Sequence, residues 1–233
     1  MSQTPQAQRG CVIVPAYNEE RRIAAVVRSV REQVPVVVAV DDGSRDGTAR
    51  EAEQAGAVVL RHETNRGKGA ALETGFRYAR EQGYDYVITM DGDGQHDPAD
   101  LPKFVETYER TGIPVLIGNR MADAGSMPWI RRVTNRVMSW LLSREMAQFV
   151  PDTQCGYRLF RCDIVPLVAA ESVRYAAESE MLLNVADRGI RIDAVPIATI
   201  YRDEKSKINP FCDTVRFIGM LRRYRRRKRA ARR

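Results

Sequence analysis

Five short apolar runs rich in valine and isoleucine punctuate the first 118 residues, at 11–15, 36–40, 58–60, 86–90 and 114–118. This recurrence leaves few architectures open. Strands buried on both faces read as continuous apolar runs, and helical crossovers between them make the strands parallel. Helical spacing separates several of the runs. Residues from about 19 to 33 place Ile23, Val26, Val27 and Val30 on one face, with Asn18 as the expected N-cap. Further helices are expected from about 70 to 82 and over 98–110, the second opened by Pro98. The expected fold is α/β: a Rossmann-like, mostly parallel sheet with helices on both faces.

Three of the four loops after the first strands carry polar clusters: Asn18-Glu19, Asp41 to Asp46, and Asp91 to Asp97. Ligands in open α/β sheets bind just beyond the carboxyl ends of the strands, where such loops converge. The densest cluster follows the run at 86–90, where DGDGQHD sets three carboxylates and a carboxamide beside two glycines. Hard oxygen ligands that close together repel unless a cation joins them. Magnesium or manganese suits them and keeps positions open for substrate phosphates. Asp-Gly turns, or an Asp97 helix cap before Pro98, would explain any one cluster alone. The set of three points to a site.

Composition narrows the class. A chain of 233 residues with 44% hydrophobic content can bury a core. The net charge of +7 is local: residues 222–233 hold nine basic side chains and no acid, leaving −2 for the first 221. No aromatic stacking set accompanies that tail, so nucleic-acid binding is a remote alternative and no nucleic-acid partner is expected. The four cysteines form no C-x-x-C pair and no zinc spacing with the two histidines, which fits a reducing cytoplasmic setting. Residues 1–9 are expected to be a disordered leader without a signal-peptide core. No apolar stretch approaches the ~20 residues that span a bilayer, so membrane contact is expected to be peripheral, on the cytoplasmic face.

The blocks VPAYNEE, VDDGSRDGT, NRGKGAALETGF, MDGDGQHDP and DTQCGYRLFR together resemble the signature motifs of family 2 inverting glycosyltransferases of GT-A fold. Within that family the likeness is to polyprenyl-phosphate sugar transferases of the dolichyl-phosphate mannosyltransferase type, over roughly residues 10–210. The resemblance implies a nucleoside diphosphate sugar donor, with UDP and GDP both open. Pro15, Ala16, Tyr17 and Glu19 would border the base and ribose, and Asp41 or Asp42 would reach the base. Asp91, Gly92, Asp93 and Gln95 match the motif for the diphosphate and its Mg2+ or Mn2+, with Asp93 in the catalytic set, and Lys68 would approach the diphosphate. On the acceptor side Arg120, Arg131 and Asn135 would hold a polyprenyl phosphate, helped by the late cluster Arg202, Lys205 and Lys207. Relatives often carry serine where this chain has Asn135. Asp152, Gln154, Cys155 and Gly156 match a block that shapes the sugar pocket.

Glu178 and Glu180 fall near the catalytic aspartate of relatives that glycosylate hydroxyls, and Glu180 or a neighbour is the candidate base. A sugar or protein hydroxyl needs such a base, whereas a phosphate monoester is already anionic. The chain also lacks the [QR]-x-x-R-W block of processive synthases. Both points favour a lipid-phosphate acceptor, with a membrane partner protein left open.

Two stretches are amphipathic. Trp129, Ile130, Val133, Val137, Trp140 and Leu141 recur on a helical period among Arg131, Arg132, Arg136 and Arg144. This helix is open between core packing and a membrane interface. Phe211, Val215, Ile218 and Leu221 repeat the pattern before the arginine tail, and residues 211–233 are expected to lie on an anionic membrane surface.

Overall fold

The computed structural model describes residues 10–123, 125, 127–167, 175–198 and 210–230. Its strands are β1 (Gly10–Ala16), β2 (Val37–Asp41), β3 (Val58–Arg61), β4 (Tyr86–Thr89), β5 (Val115–Asn119), β6 (Arg158–Arg161) and β7 (Ile192–Pro196). They form one sheet in the order β3-β2-β1-β4-β6-β5-β7. The helices are α1 (Ile23–Arg31), α2 (Thr48–Gln54), α3 (Lys68–Glu81), α4 (Leu101–Thr111), α5 (Trp129–Met146), α6 (Tyr175–Asp187) and α7 (Pro210–Ala230). All five apolar runs become strands, and β1, β2 and β4 are buried along nearly their whole length. Helix α3 packs so closely on β1 that a Cβ on Gly75 would lie 2.6 Å from Ile13 Cγ2.

Four features depart from the sequence expectation. Helix α1 begins at Ile23 rather than Glu19, and Asn18 is no N-cap but sits at φ 54. The cause is cross-bonding between loops: the Asn18 amide donates to Ser44 Oγ, Asn18 Oδ1 accepts from Arg45 N, and the Glu19 amide donates to Thr48 Oγ1. Helix α2 has seven residues with only Thr48 and Ala52 buried, too faint a period to read in advance.

The third departure has the largest consequence for function. β6 runs antiparallel between β4 and β5, with Thr89 opposite Arg158 and Ile117 also opposite Arg158. In an all-parallel sheet only loops that leave strands reach the carboxyl edge. A reversed strand instead brings its incoming loop there, so residues 152–157 arrive beside the loops that leave β4 and β5. The Gly118 amide donates to Tyr157 O, and Thr89 Oγ1 donates to Gly156 O, fixing that juxtaposition.

The second amphipathic stretch is also placed differently. Of its four apolar residues Leu221 is buried, with Phe217, Met220 and Tyr224, in the core against α6, whereas Ile218 is exposed and the side chains of Phe211 and Val215 lie outside the described residues. Helix α7 is thus built into the domain rather than appended to it. The first stretch, α5, shows the reverse: Trp129, Ile130, Val133, Val137 and Trp140 are exposed, while Asn135, Met138, Ser139, Leu142 and Met146 are buried.

Candidate active site

The edge of the sheet gathers the loops after β1, β2, β4 and β5 with the loop entering β6. The loop after β4 carries Asp91 and Asp93. Lys68, the first residue of α3, lies 2.5 Å from Asp91 Oδ1 and 3.0 Å from Glu178 Oε2 at the start of α6. Burial alone would lower the Lys68 pKa, but the charges of Asp91 and Glu178 outweigh it and hold it above the ordinary lysine value. Burial opposes ionisation of Asp91 in turn, yet Lys68 keeps its carboxyl well below the usual range. Asp93 gets less from Lys68 and from the Gln95 amide than burial takes away. Burial, and then the charge of Asp91, push it up to about 6. The backbone turns tightly here, with Gly94 at φ 74 and the Gln95 amide donating to Asp93 Oδ1 at 3.0 Å.

Asp91, Asp93 and Glu178 therefore share one lysine, which leaves carboxylate charge without compensation. That is the donor chemistry of a hard divalent cation, and Asp91 and Asp93 fit it. Among the described residues no group of three His, Cys, Asp or Glu converges there, so phosphate oxygens, water and Gln95 would complete the shell. Asp97 takes no part: its Oδ1 accepts from Ala99 N and caps the turn before α4. His96 is buried and stacked on Tyr157 at 5.1 Å, with no hydrogen-bond partner on Nδ1. Burial, against the opposing pull of Asp91, takes its pKa down to about 4, so the ring is neutral at pH 7. Gly156 faces the cluster, and a Cβ on it would meet the Asp91 carboxylate at 2.7 Å and Lys68 Nζ at 2.9 Å.

The loops after β1 and β2 form one flank. Tyr17 is exposed beyond Pro15 and Ala16, and a Cβ on Gly92 would lie 3.2 Å from Pro15 O, so the β1 and β4 loops touch. Glu19 is half-buried and pairs with Arg22 at 3.1 Å. Asp41 and Asp42, interchangeable in the sequence reading, differ in the structure. Both Asp42 oxygens are consumed, Oδ1 by His62 Nδ1 and the Arg66 amide, Oδ2 by the Gly67 amide. Asp41 gives Oδ1 to the Ser44 amide, while its Oδ2 lies 3.3 Å from Arg61 Nε without hydrogen-bond alignment.

The opposite flank belongs to α5 and the β6 loop. Arg120, at the end of β5, does not present its fork outward as expected: Nε and Nη2 bond both oxygens of the fully buried Asp152 at 2.7 and 3.0 Å. A buried guanidinium needs its carboxylate, and a strand end alone does not reveal one. Ser139 Oγ accepts from the Thr153 amide, tying α5 to the same loop. One turn earlier on that face sits Asn135, whose buried Nδ2 has no hydrogen-bond partner, with Arg131 half-buried another turn back. Beneath the loop, Arg158 (2% exposed) donates to Cys155 O, Thr153 O and Glu178 O. It joins the β6 loop to α6.

The candidate base is corrected. Glu180 turns away from this pocket and pairs with Arg227 of α7 at 3.2 Å. Residues two apart on a helix point about 200° apart, so when Glu178 faces the site Glu180 cannot. Helical phase was the signal that separates them. Arg202, Lys205 and Lys207 lie outside the described residues. Cys11, Cys155 and Cys162 are free and buried, and burial pushes each thiol up to about 12, which makes them inert.

The profile of Glycosyl transferase family 2 matches residues 11–166, a span that includes the β1, β2, β4 and β6 loops. The chain belongs to that family. This glycosyltransferase is 36% identical over 210 residues to the undecaprenyl-phosphate mannosyltransferase of Micrococcus luteus, covering 84% of this chain and 85% of that one. It is 30% identical to the polyprenol monophosphomannose synthase of Mycolicibacterium smegmatis, over 84% and 79% of the two chains. The glucosyl-3-phosphoglycerate synthase of Mycobacterium tuberculosis, solved with Mn2+, uridine diphosphate and glucosyl-3-phosphoglycerate, superposes with a TM-score of 0.70 at 23% identity. That match covers 92% of this transferase and 78% of that chain. The fold is GT-A.

Proposed function

We propose that this glycosyltransferase moves a sugar from a nucleoside diphosphate sugar to a polyprenyl phosphate, inverting the anomeric centre in one displacement. The observation that carries the acceptor assignment is the state of α6. Both of its candidate bases are ion-paired, Glu178 with Lys68 and Glu180 with Arg227. A hydroxyl nucleophile needs an unengaged base, whereas a phosphate oxygen attacks as it is. The names of the Micrococcus and Mycolicibacterium relatives support the same acceptor class.

In this reading Tyr17, with Pro15, Ala16 and Glu19, borders the base and ribose. Asp41 is the better placed carboxylate for the base, because its Oδ2 has no hydrogen-bond partner while three contacts already engage Asp42. Asp91, Asp93 and Gln95 hold Mg2+ or Mn2+, which when bound neutralises charge on the departing diphosphate. Lys68 lies beside them and can exchange Asp91 for a diphosphate oxygen, while Gly156 keeps the space between loops clear for the sugar. Asn135 Nδ2 and Arg131 donate to the acceptor phosphate, with Arg120 behind them on Asp152. The phosphate oxygen bonds to the anomeric carbon as that carbon's bond to the diphosphate breaks, and no proton moves. A lipid acceptor places the protein at a membrane surface, on the side where nucleotide sugars are found. Among the described residues no helix is long and apolar enough to cross a bilayer.

The test is transfer of labelled sugar from a panel of UDP- and GDP-sugars to undecaprenyl phosphate, with manganese or with chelator. Metal-dependent label in the organic phase is the expected result, lost in Asp93→Ala with an unchanged melting temperature. Label recovered only on a soluble hydroxyl acceptor would overturn the acceptor assignment. Full activity in chelator would overturn the metal.

A further inference from the structure

Helix α5 has two faces with opposite fates. At about 100° per residue, Trp129, Ile130, Val133, Val137 and Trp140 fall within an arc of about 100°, and the buried residues Asn135, Met138, Ser139, Leu142 and Met146 lie diametrically opposite. The exposed stripe is not decorated with scattered polar groups. Trp129 is 75% exposed and Trp140 59%, with Ile130, Val133 and Val137 each more than half exposed between them. Five large apolar side chains along one stripe of a helix exceed the single exposed residues normal on a soluble surface.

We propose that this face of α5 inserts into the interfacial layer of an anionic bilayer and holds the active site against the membrane. The inference rests on a lipid-linked acceptor. Charge selects the bilayer over other occupants. No acidic residue occurs from 129 to 144, exposed Arg132 and Arg136 flank the stripe, and Arg144 lies over the Trp140 ring at 5.8 Å. Tryptophans at each end of an apolar stripe, edged by arginines, match the headgroup boundary, where indoles sit and basic side chains meet lipid phosphates. The buried face carries Asn135 with its unpartnered Nδ2, and Arg131 lies near that face. An α-helix is about 10 Å across, so a helix seated by its outer face keeps its inner face within one helix diameter of the lipid headgroups. A phosphate on a membrane-embedded polyprenol reaches that distance without its chain leaving the bilayer.

The experiment is built into the sequence, because Trp129 and Trp140 are the only tryptophans. Full-length protein is titrated with vesicles of phosphatidylglycerol and phosphatidylcholine, and intrinsic emission is followed with and without lipids brominated along their acyl chains. The expected result is a blue shift with quenching by brominated lipid that survives high salt. In Ile130→Ser/Val133→Ser, which keeps both reporters, vesicle partitioning falls roughly tenfold while transfer to a short, water-soluble prenyl phosphate is unchanged. Vesicle binding with unshifted tryptophan emission, or binding abolished by salt, would overturn the proposal. So would a blue shift that tracks protein concentration without lipid, which would assign the face to a second copy of the chain. Insertion of the tryptophans with no transfer to any prenyl phosphate would leave this surface standing and defeat the acceptor assignment instead.

Discussion

Helices α5 and α7 look alike in sequence and are used in opposite ways. Both carry an apolar period laced with arginine. In α7 the apolar residues Phe217, Met220, Leu221 and Tyr224 turn inward and the basic residues lie on the outer side, two of them, Arg225 and Arg227, paired with Glu145 and Glu180. In α5 the inward face is partly polar, with Asn135 and Ser139, and the larger apolar residues point out. The difference teaches that amphipathicity states only that a helix has two faces. What waits on each side decides which face is buried, and α5 has the polar loop before β6 behind it.

The largest expected effect that sharpens this contrast is on stability. Phe217→Ala in α7 should cost about 3–5 kcal/mol by chemical denaturation, the range for a buried aromatic truncated in a core. Trp140→Ala in α5 should stay within about 0.5 kcal/mol, since the side chain is already more than half exposed. Equal losses would erase the distinction.

A smaller effect concerns the polar seam between α6 and α7. Tyr224 Oη and Lys228 Nζ both donate to Asp187 Oδ1, at 2.6 and 2.7 Å. Burial raises the Asp187 pKa, but those hydrogen bonds more than offset it and hold the carboxyl below its ordinary value. A depressed carboxyl stabilises the fold above its unfolded pKa near 4 and loses that contribution as pH falls further. Screened by solvent at this partly exposed site, Asp187→Asn should cost about 0.5–1 kcal/mol at neutral pH and flatten the acid limb of the stability profile. An acid limb identical to wild type would remove Asp187 from the docking of α7.

The smallest effect is expected at the exposed arginines. Arg226→Ala/Arg229→Ala should leave stability within about 0.5 kcal/mol and lower vesicle affinity only at low salt. A loss that persists at high salt would give α7 the role assigned to α5.

Much of the sheet edge around Asp91 was legible because it is local. Strand runs, the Asp91–Asp93 loop and the Gly67-Lys68 turn each lie within a dozen residues, and period and turn chemistry read that range well. What escaped was set by partners far away in the chain. Asp41 and Asp42 are indistinguishable until the Arg66 and Gly67 amides close on one of them. Arg120 reads as a phosphate ligand until Asp152, 32 residues on, takes its fork. Glu180 loses its candidacy to an arginine on α7, while Glu178 gains a place beside Lys68, 110 residues upstream. The reversal of β6 is the same kind of fact: nothing within RLFR states which way the strand runs.

That reversed strand also divides the molecule along its chain. Residues 10–89 supply β3, β2, β1 and β4, residues 115–196 supply β6, β5 and β7, and a single ladder between β4 and β6 stitches the two groups of strands. Their connection passes through Gly112, exposed at φ 65 after α4. This layout predicts fragment complementation. Two polypeptides parted at Gly112 would each hold a contiguous block of sheet and one bank of the cleft, and sugar transfer would report their reunion.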